Sequence, residues 1–240
     1  MNKSRLDQEL VRRGLVATRS QAESYIKLGK VKVDKKLVSK PGFLVGEQNI
    51  VELNAPNQYV SRAGLKLASI AKDFELNFKD KIVLDVGSST GGFTDYALQN
   101  GAKKVVAVEL GKNQMHPSLR SDPRIELYEQ TDIRSIKKLD SKPNIIVIDV
   151  SFISLREILP HLTKLANKKT EIIAMVKPQF EAKTSNIKHK GVIKNENIRR
   201  EILKDFENWA KEIFVILNKK DSEITGEKGN KERFFHLKTV

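Results

Sequence analysis

From Lys81 onward the chain alternates short apolar, β-branched runs with helix-like segments, and this pattern constrains the fold more than any other feature. The runs are IVLDVG (82–87), KVVAVEL (104–110), IELYEQT (125–131), NIIVIDV (144–150) and EIIAMVKP (171–178). Strands that are apolar at nearly every position must be covered on both faces. Strands that alternate with helices are joined by crossovers, so the sheet is predicted to be parallel. The end differs. FVILNK (214–219) and RFFHLKTV (233–240) are joined by a polar loop with no helix between them, which predicts an antiparallel hairpin at the sheet edge.

The first quarter reads as a separate small α+β module. RLDQELVRR has an apolar stripe at Leu6, Leu10 and Val11 and stops at Gly14. A second helix is predicted to start at Ser20, because SQAE has capping-box form, and to end at Gly29. VKVD and IVEL then read as short strands. Pro56, between asparagines, reads as a linker. Ser61 is placed to cap a helix over SRAGLKLASIAKDF.

Charge and composition narrow the function classes. Lys and Arg number 44 against 30 acids, a net charge of +14, which favours polyanionic partners by steering and counterion release. Residues 1–60 hold 11 basic and 6 acidic side chains, so the surplus per residue is greatest there. A well-solvated lysine-rich surface would produce the same total. With no cysteine, disulfides and thiolate metal sites are excluded, and the four histidines are scattered, so no metal site is expected. The absence of an 18-residue apolar run and of an apolar N-terminal stretch leads to the expectation of a cytoplasmic protein.

In an open α/β sheet the ligand lies at the carboxyl ends of the strands. The first strand runs into SSTGGF, where Gly87, Ser88, Gly91, Gly92 and Phe93 supply a glycine loop and a helix N-terminus. The spacing G-x-x-x-G-G is not the dinucleotide fingerprint and argues against an NAD-dependent reductase. Asp85 precedes the loop, Glu109 ends the second strand, and Asp132 with Ile133 ends the third. An ammonium, a ribose diol and an adenine amino group would meet these acids in that order, and S-adenosylmethionine carries all three. The other reading of the acids is as helix N-caps on a sheet without a ligand. His116 is read as shaping a loop beside this region.

Four charges stay outside that account: Lys66, Asp149, Lys177 and Glu232. Asp149 and Lys177 end buried strands, where a charge costs several kcal/mol unless it is paired or used. Lys66 on a helix face and Glu232 in a turn read by themselves as solvated surface residues. The stretches that carry the four, YVSRAGLKLA, DVSFISL, VKPQFE and GNKE, together with LDVGSSTGGFTD, RSDPRI and KGVIKN, closely resemble the TlyA family of RNA ribose 2′-O-methyltransferases. That family is historically labelled hemolysin and has an FtsJ-like catalytic domain. Residues 5–36 resemble the αL RNA-binding motif of a small-subunit ribosomal protein.

The resemblance implies a class I, Rossmann-like methyltransferase sheet over 59–240, preceded by an RNA-binding domain and linker over 1–58. It implies S-adenosylmethionine as cofactor, ribosomal RNA or its subunits as partner, and a cytidine 2′-hydroxyl as acceptor. Lys66, Asp149, Lys177 and Glu232 are the implied catalytic tetrad, Lys177 the base, and Asp149 also borders the cofactor. A lysine serves as base when desolvation or a nearby cation lowers its proton affinity, and Lys66 beside Lys177 would be that cation. Arg5, Arg12, Arg13, Arg19, Lys27, Lys30 and Lys32 are the expected RNA face, and Lys183, Lys188 and Lys190 a second basic rim.

Two positions depart from the family pattern. Glu109 stands where Asp is usual, and Lys231, where an apolar residue is usual, would add charge beside the site. The alternatives are a non-catalytic RNA-binding or ribosome-assembly factor and, less favoured, a hemolysin. The latter is disfavoured by the lack of a signal, a membrane-length apolar stretch or a long amphipathic basic helix.

Overall fold

The computed structural model describes residues 3–55, 59–182, 191–226 and 229–240. The rim expected from Lys183, Lys188 and Lys190 lies outside them.

The first module contains β1 (Ser4–Arg5), α1 (Leu6–Arg12), α2 (Arg19–Lys27), β2 (Val31–Val33), β3 (Lys36–Leu37), β4 (Leu44–Val45) and β5 (Val51–Leu53). Strand β2 lies between β3 and β5, and β1 pairs with β4. The β2–β3 turn places both Asp34 and Lys35 at positive φ, 49° and 66°, the backbone of a type I′ hairpin whose twist suits its strands. Helix α2 begins earlier than the sequence reading has it. Its N-cap is Thr18, whose hydroxyl accepts from Gln21 N at 3.2 Å, while Gln21 Oε1 accepts from Thr18 N at 3.3 Å. Thr18–Gln21 and Ser20–Glu23 both fit the capping-box spacing. The first is formed because Ala17 N also donates to Gln21 Oε1, leaving Ser20 inside the helix.

Helix α3 (Arg62–Ala71) leads into the second part. Ser61 takes the N-cap position as expected, but its hydroxyl makes no capping bond. The remaining elements are β6 (Ile82–Val86), α4 (Gly92–Gln99), β7 (Lys104–Val108), α5 (Pro117–Arg120), β8 (Ile125–Tyr128), β9 (Ile145–Ile148), α6 (Leu159–Leu165), β10 (Glu171–Val176), α7 (Pro178–Glu181), α8 (Glu196–Ala210), β11 (Phe214–Asp221) and β12 (Arg233–Thr239). They form one seven-stranded sheet in the order β11-β12-β10-β9-β6-β7-β8. Strands β6 to β10 are parallel, and β12 is antiparallel to both its neighbours. The hairpin does sit at the edge, but its second strand is inserted next to β10 and the first is outermost.

Adjacent residues face opposite sides of the sheet. Val83, Val105, Ile145, Ile173 and Phe234 join one core with α3 and α4 residues, while Leu84, Val106, Ile146, Ile172 and Phe235 join a second with α6 and α8. That double burial is why the runs lack polar alternation. The first core also takes in Leu6, Leu10, Tyr25 and Ile26, so the small module shares a core with the sheet domain instead of closing on its own. Gln21 Nε2 donates to Tyr59 O at 2.9 Å across the junction.

Candidate active site

The strand order reverses at β6, with β7 and β8 on one side and β9 and β10 on the other. A cleft opens where the carboxyl ends of β6 and β9 diverge. Gly87, at φ 79°, makes this possible, since a Cβ there would stand 2.7 Å from Asp149 O. The cleft has a volume of about 640 Å³, and Gly87, Glu109, Asp132, Ile133 and Asp149 line it, with Leu110, Ser151 and Phe152 at its walls.

Asp85, Ser88, Gly91, Gly92 and Phe93 are buried and do not line this cleft. The Phe93 ring is a core residue, 2% exposed and 6.2 Å from the Phe234 ring, so only its backbone remains available to a ligand. Gly91 has φ 91°, and a Cβ there would meet Leu119 Cδ1 at 2.5 Å. Glu109 accepts from Ser89 N at 2.8 Å and Gly111 N at 2.7 Å, which fixes its carboxylate at the lip. Asp132 caps a short 3₁₀ turn through Arg134 N and is ion-paired with the Arg134 guanidinium. The N-cap reading of an acid therefore holds for Asp132, on the cleft wall. His116 caps α5 and its amide donates to Thr90 O, shaping the loop as expected.

Asp85 Oδ2 accepts from Thr94 Oγ1 at 2.6 Å. Its Oδ1 and Ser88 Oγ are buried without a hydrogen-bond partner among the described residues. Burial pushes the Asp85 carboxyl up to about 7. Thr94 opposes that rise, and the charges of Asp149 and Glu109 reinforce it. A carboxyl raised on folding stabilises the fold fully below its ordinary value near 3.8, and the contribution is lost as pH rises through 7. In urea unfolding, Asp85→Asn should therefore gain on the wild type by up to roughly 4 kcal/mol between pH 4 and pH 8. A constant difference across that range would refute the assignment.

The four remaining charges come from four elements. Lys66 on α3 reaches Glu232 Oε2 at 2.5 Å, and both are under a tenth exposed. Lys177, the N-cap of α7, lies 2.6 Å from Asp149 Oδ1 and donates to Ser151 Oγ at 2.8 Å. In the β10–β12 register Val176 is opposite Arg233, so the next position outward sets Lys177 opposite Glu232. The register thus sets the two ion pairs side by side at the sheet's carboxyl end. The lysine pair expected from sequence arrives as two matched ammonium–carboxylate pairs.

Lys231 does not charge the site. Its amine binds Glu196 at 2.6 Å on α8. The turn carrying Glu232 is clamped on both flanks by the buried Arg199, which donates to Lys231 O at 3.0 Å and to Asp221 Oδ1 at 2.7 Å. Asp221 in turn holds Arg233. Asn230 ties the same turn to Gly191 O and Ile193 N.

Three residues escaped the sequence reading although they stand in quoted motifs. Ser151 is the hydroxyl partner of Lys177. Phe152 is 81% exposed at φ 66°, with its ring 5.2 Å from Phe180. Glu181, 1% exposed, accepts from Ser154 Oγ and Leu155 N and so pins the loop after β9 to the turn after β10. Within those motifs only the charged residues at strand ends had a stated use. A positive φ at a phenylalanine leaves no mark in sequence.

On the first module Arg12, Arg19, Lys27 and Lys30 are exposed, and Arg5 and Lys32 are half-buried. Arg13 departs from the expected RNA face. It is spent on Glu9, Asn49 O and Gly46 O, and it ties α1 to the loop after β4. Among the described residues no helix is long and apolar enough to cross a membrane.

Residues 59–239 match the FtsJ-like methyltransferase family, and residues 4–51 match the S4 domain. YqxC of Bacillus subtilis is 42% identical over 240 residues, spanning 98% of this chain and 85% of that one. A Mycobacterium tuberculosis protein named 16S/23S rRNA (cytidine-2′-O)-methyltransferase TlyA is 35% identical over 242 residues, covering 99% of this chain and 90% of the relative. A solved Streptococcus thermophilus structure bearing a hemolysin name superposes with a TM-score of 0.73 at 37% identity, covering 100% of this chain and 90% of that one. Fold, cleft and relatives agree, and the chain belongs to the FtsJ-like methyltransferase family, with an S4 domain in front.

Proposed function

We propose that this chain transfers a methyl group from S-adenosylmethionine to a cytidine ribose 2′-hydroxyl in ribosomal RNA. The observation that carries the reading is a pair of ion pairs, Lys66–Glu232 and Lys177–Asp149, at the carboxyl end of the sheet, with Asp149 lining the cleft. A TlyA relative named for that reaction supports it.

The residues present fit the cofactor. A buried acceptor without a partner at Asp85 Oδ1 suits a ligand ammonium. Gly87, Ser88, Gly91, Gly92 and Phe93 offer backbone at the same strand end, Glu109 a carboxylate for the ribose, and Asp132 with Ile133 the adenine wall. When bound, S-adenosylmethionine supplies a methyl group on a positively charged sulfur that leaves as a neutral thioether.

The chain must place the hydroxyl and receive its proton. Lys177 Nζ, between Asp149 and Ser151, is assigned that proton. It acts as the neutral amine, its ammonium proton having passed to solvent before the ribose enters. It takes the hydroxyl proton as the methyl group leaves sulfur for the 2′-oxygen. A ribose entering between Nζ and Ser151 Oγ takes the place of that hydroxyl and brings the two groups into contact. Glu232 holds Lys66, which fixes a second ammonium beside the acceptor. Phe152, bare at the cleft wall, offers an aromatic face to the target base.

Residues 1–58 are proposed as the RNA-binding unit and 59–240 as the transfer domain, acting in the cytoplasm. Arg5, Arg12, Arg19, Lys27, Lys30 and Lys32 meet phosphate, which positions the RNA without reading its sequence. Incubation with labelled S-adenosylmethionine and ribosomal subunits, or their deproteinised RNA, should place label in RNA. Phe152→Leu should raise the RNA concentration for half-maximal transfer about tenfold. No label in any subunit or naked rRNA would refute the proposal.

A further inference from the structure

Two carboxylates in the first module are buried, and each carries two arginines. Asp7, with no exposed surface, accepts from Arg5 Nε at 3.0 Å, Arg5 Nη2 at 2.9 Å and Arg19 Nε at 2.7 Å. Glu9, 2% exposed, accepts from Arg12 Nε at 2.8 Å, Arg12 Nη2 at 2.6 Å, Arg13 Nε at 2.6 Å and Ser4 Oγ at 2.8 Å. Hydrogen bonding from Arg12 overcomes the opposing effect of burial and, with Arg13 and Ser4, holds the Glu9 carboxyl down to about 2. Burial would raise Asp7, but Arg5 and Arg19 outweigh it and hold it low. Both acids are therefore anionic at neutral pH.

On charge alone these acids weaken an RNA face, because they cancel part of its positive field. Their geometry works the other way. A carboxylate that binds Nε and Nη2 together fixes the plane of a guanidinium. Among the described residues, Nη1 of Arg5 and of Arg12 and both Nη groups of Arg19 have no acceptor. The side chains of Arg5, Arg12 and Arg19 keep 43%, 59% and 52% of their surface exposed. Arg5 and Arg12 are each held along one edge and free on the other, and Arg19 is anchored at Nε, so part of their ordering cost is met before any ligand arrives.

We propose that Asp7 and Glu9 are positioning residues for RNA, holding Arg5, Arg12 and Arg19 as a preformed set of guanidiniums for the phosphates of folded ribosomal RNA. This rests on residues 1–58 being the RNA-binding unit. The two accounts differ in sign. If bulk charge governs binding, Asp7→Asn and Glu9→Gln each add one positive charge and tighten every RNA complex. If position governs it, binding to structured RNA weakens.

The test is filter binding of the full chain to deproteinised ribosomal RNA and, separately, to poly(U). Each variant should bind ribosomal RNA about five- to tenfold more weakly, bind poly(U) as well as or better than the wild type, and keep its transfer rate at saturating RNA. Equal or tighter binding to ribosomal RNA would overturn the proposal. Arg12→Lys guards against a misfolded module, since it keeps the charge at an exposed position and loses only the fork. About threefold weaker binding to ribosomal RNA is expected, and unchanged binding would overturn the proposal. If removing charge by Arg5→Ala with Arg19→Ala leaves wild-type affinity intact, the RNA-face reading itself fails. If those variants weaken binding while Asp7→Asn does not, only the positioning role fails.

Discussion

Lys177→Met is expected to lower the single-turnover rate of methyl transfer about a thousandfold, the scale of a lost general base, with cofactor affinity within about threefold of wild type. Lys177 touches Asp149 and Ser151 and lies 5.9 Å from the Phe180 ring, while the glycine loop and Glu109 hold no bond to it. Lys177→Arg separates charge from proton transfer. Arginine keeps the cation that Asp149 needs but cannot give up its proton, so it should fold like the wild type and be nearly as inactive as the methionine variant. Calorimetry with S-adenosylmethionine and rapid-quench assays on ribosomal RNA check both. An arginine variant retaining a tenth of the wild-type rate would reduce Lys177 to an electrostatic anchor.

Gly92→Ala is expected to destabilise the fold by about 3 kcal/mol, the upper part of the range for overpacking, and to lower the melting temperature by ~8 °C. Its Cβ would collide with Ser61 Oγ, stand 2.7 Å from Ala63 Cβ and 2.9 Å from Gly64 N. Gly64 is equally tight, since a Cβ there would lie 2.9 Å from Gly92 O and 2.6 Å from Tyr59 Cβ. The two glycines let α3 and α4 meet backbone to backbone, and α3 carries Lys66. Methyl transfer should fall with stability, because Lys66 is displaced from Glu232. A melting temperature within 2 °C of wild type would show that the contact relaxes freely.

Much of this was legible in the sequence for a physical reason. Strands buried on both faces leave continuous apolar runs, and a charge ending such a run must be paired or used. The sheet, the cleft's acids and, among the four central charges, Asp149 and Lys177 follow from that asymmetry, whereas Lys66 on a helix and Glu232 in a turn were picked out by the family resemblance. Other features were not legible because sequence does not encode the competition that decides them. Two overlapping capping boxes fit α2, and the Ala17 amide selected Thr18. A hairpin pattern predicts that β11 and β12 pair but not which of them lies against β10. Phe93 follows the glycine loop, yet its ring serves the core. Arg13 has the charge of an RNA contact, and Gly46 O and Asn49 O claim it. Phe152 owes its exposure to a backbone angle, and the linker at Pro56 gave no sign that Tyr25 and Tyr59 share one core.

The measurement closest to the central claim is the chemical position of the transferred methyl group. Ribosomal RNA labelled by this protein, digested with alkali and resolved by mass spectrometry, should yield the label in an alkali-resistant dinucleotide with cytidine on its 5′ side, because a methylated 2′-oxygen blocks cleavage of the next phosphodiester. Label recovered in ordinary mononucleotides, carried on a base, would contradict an active site built to deprotonate a ribose hydroxyl.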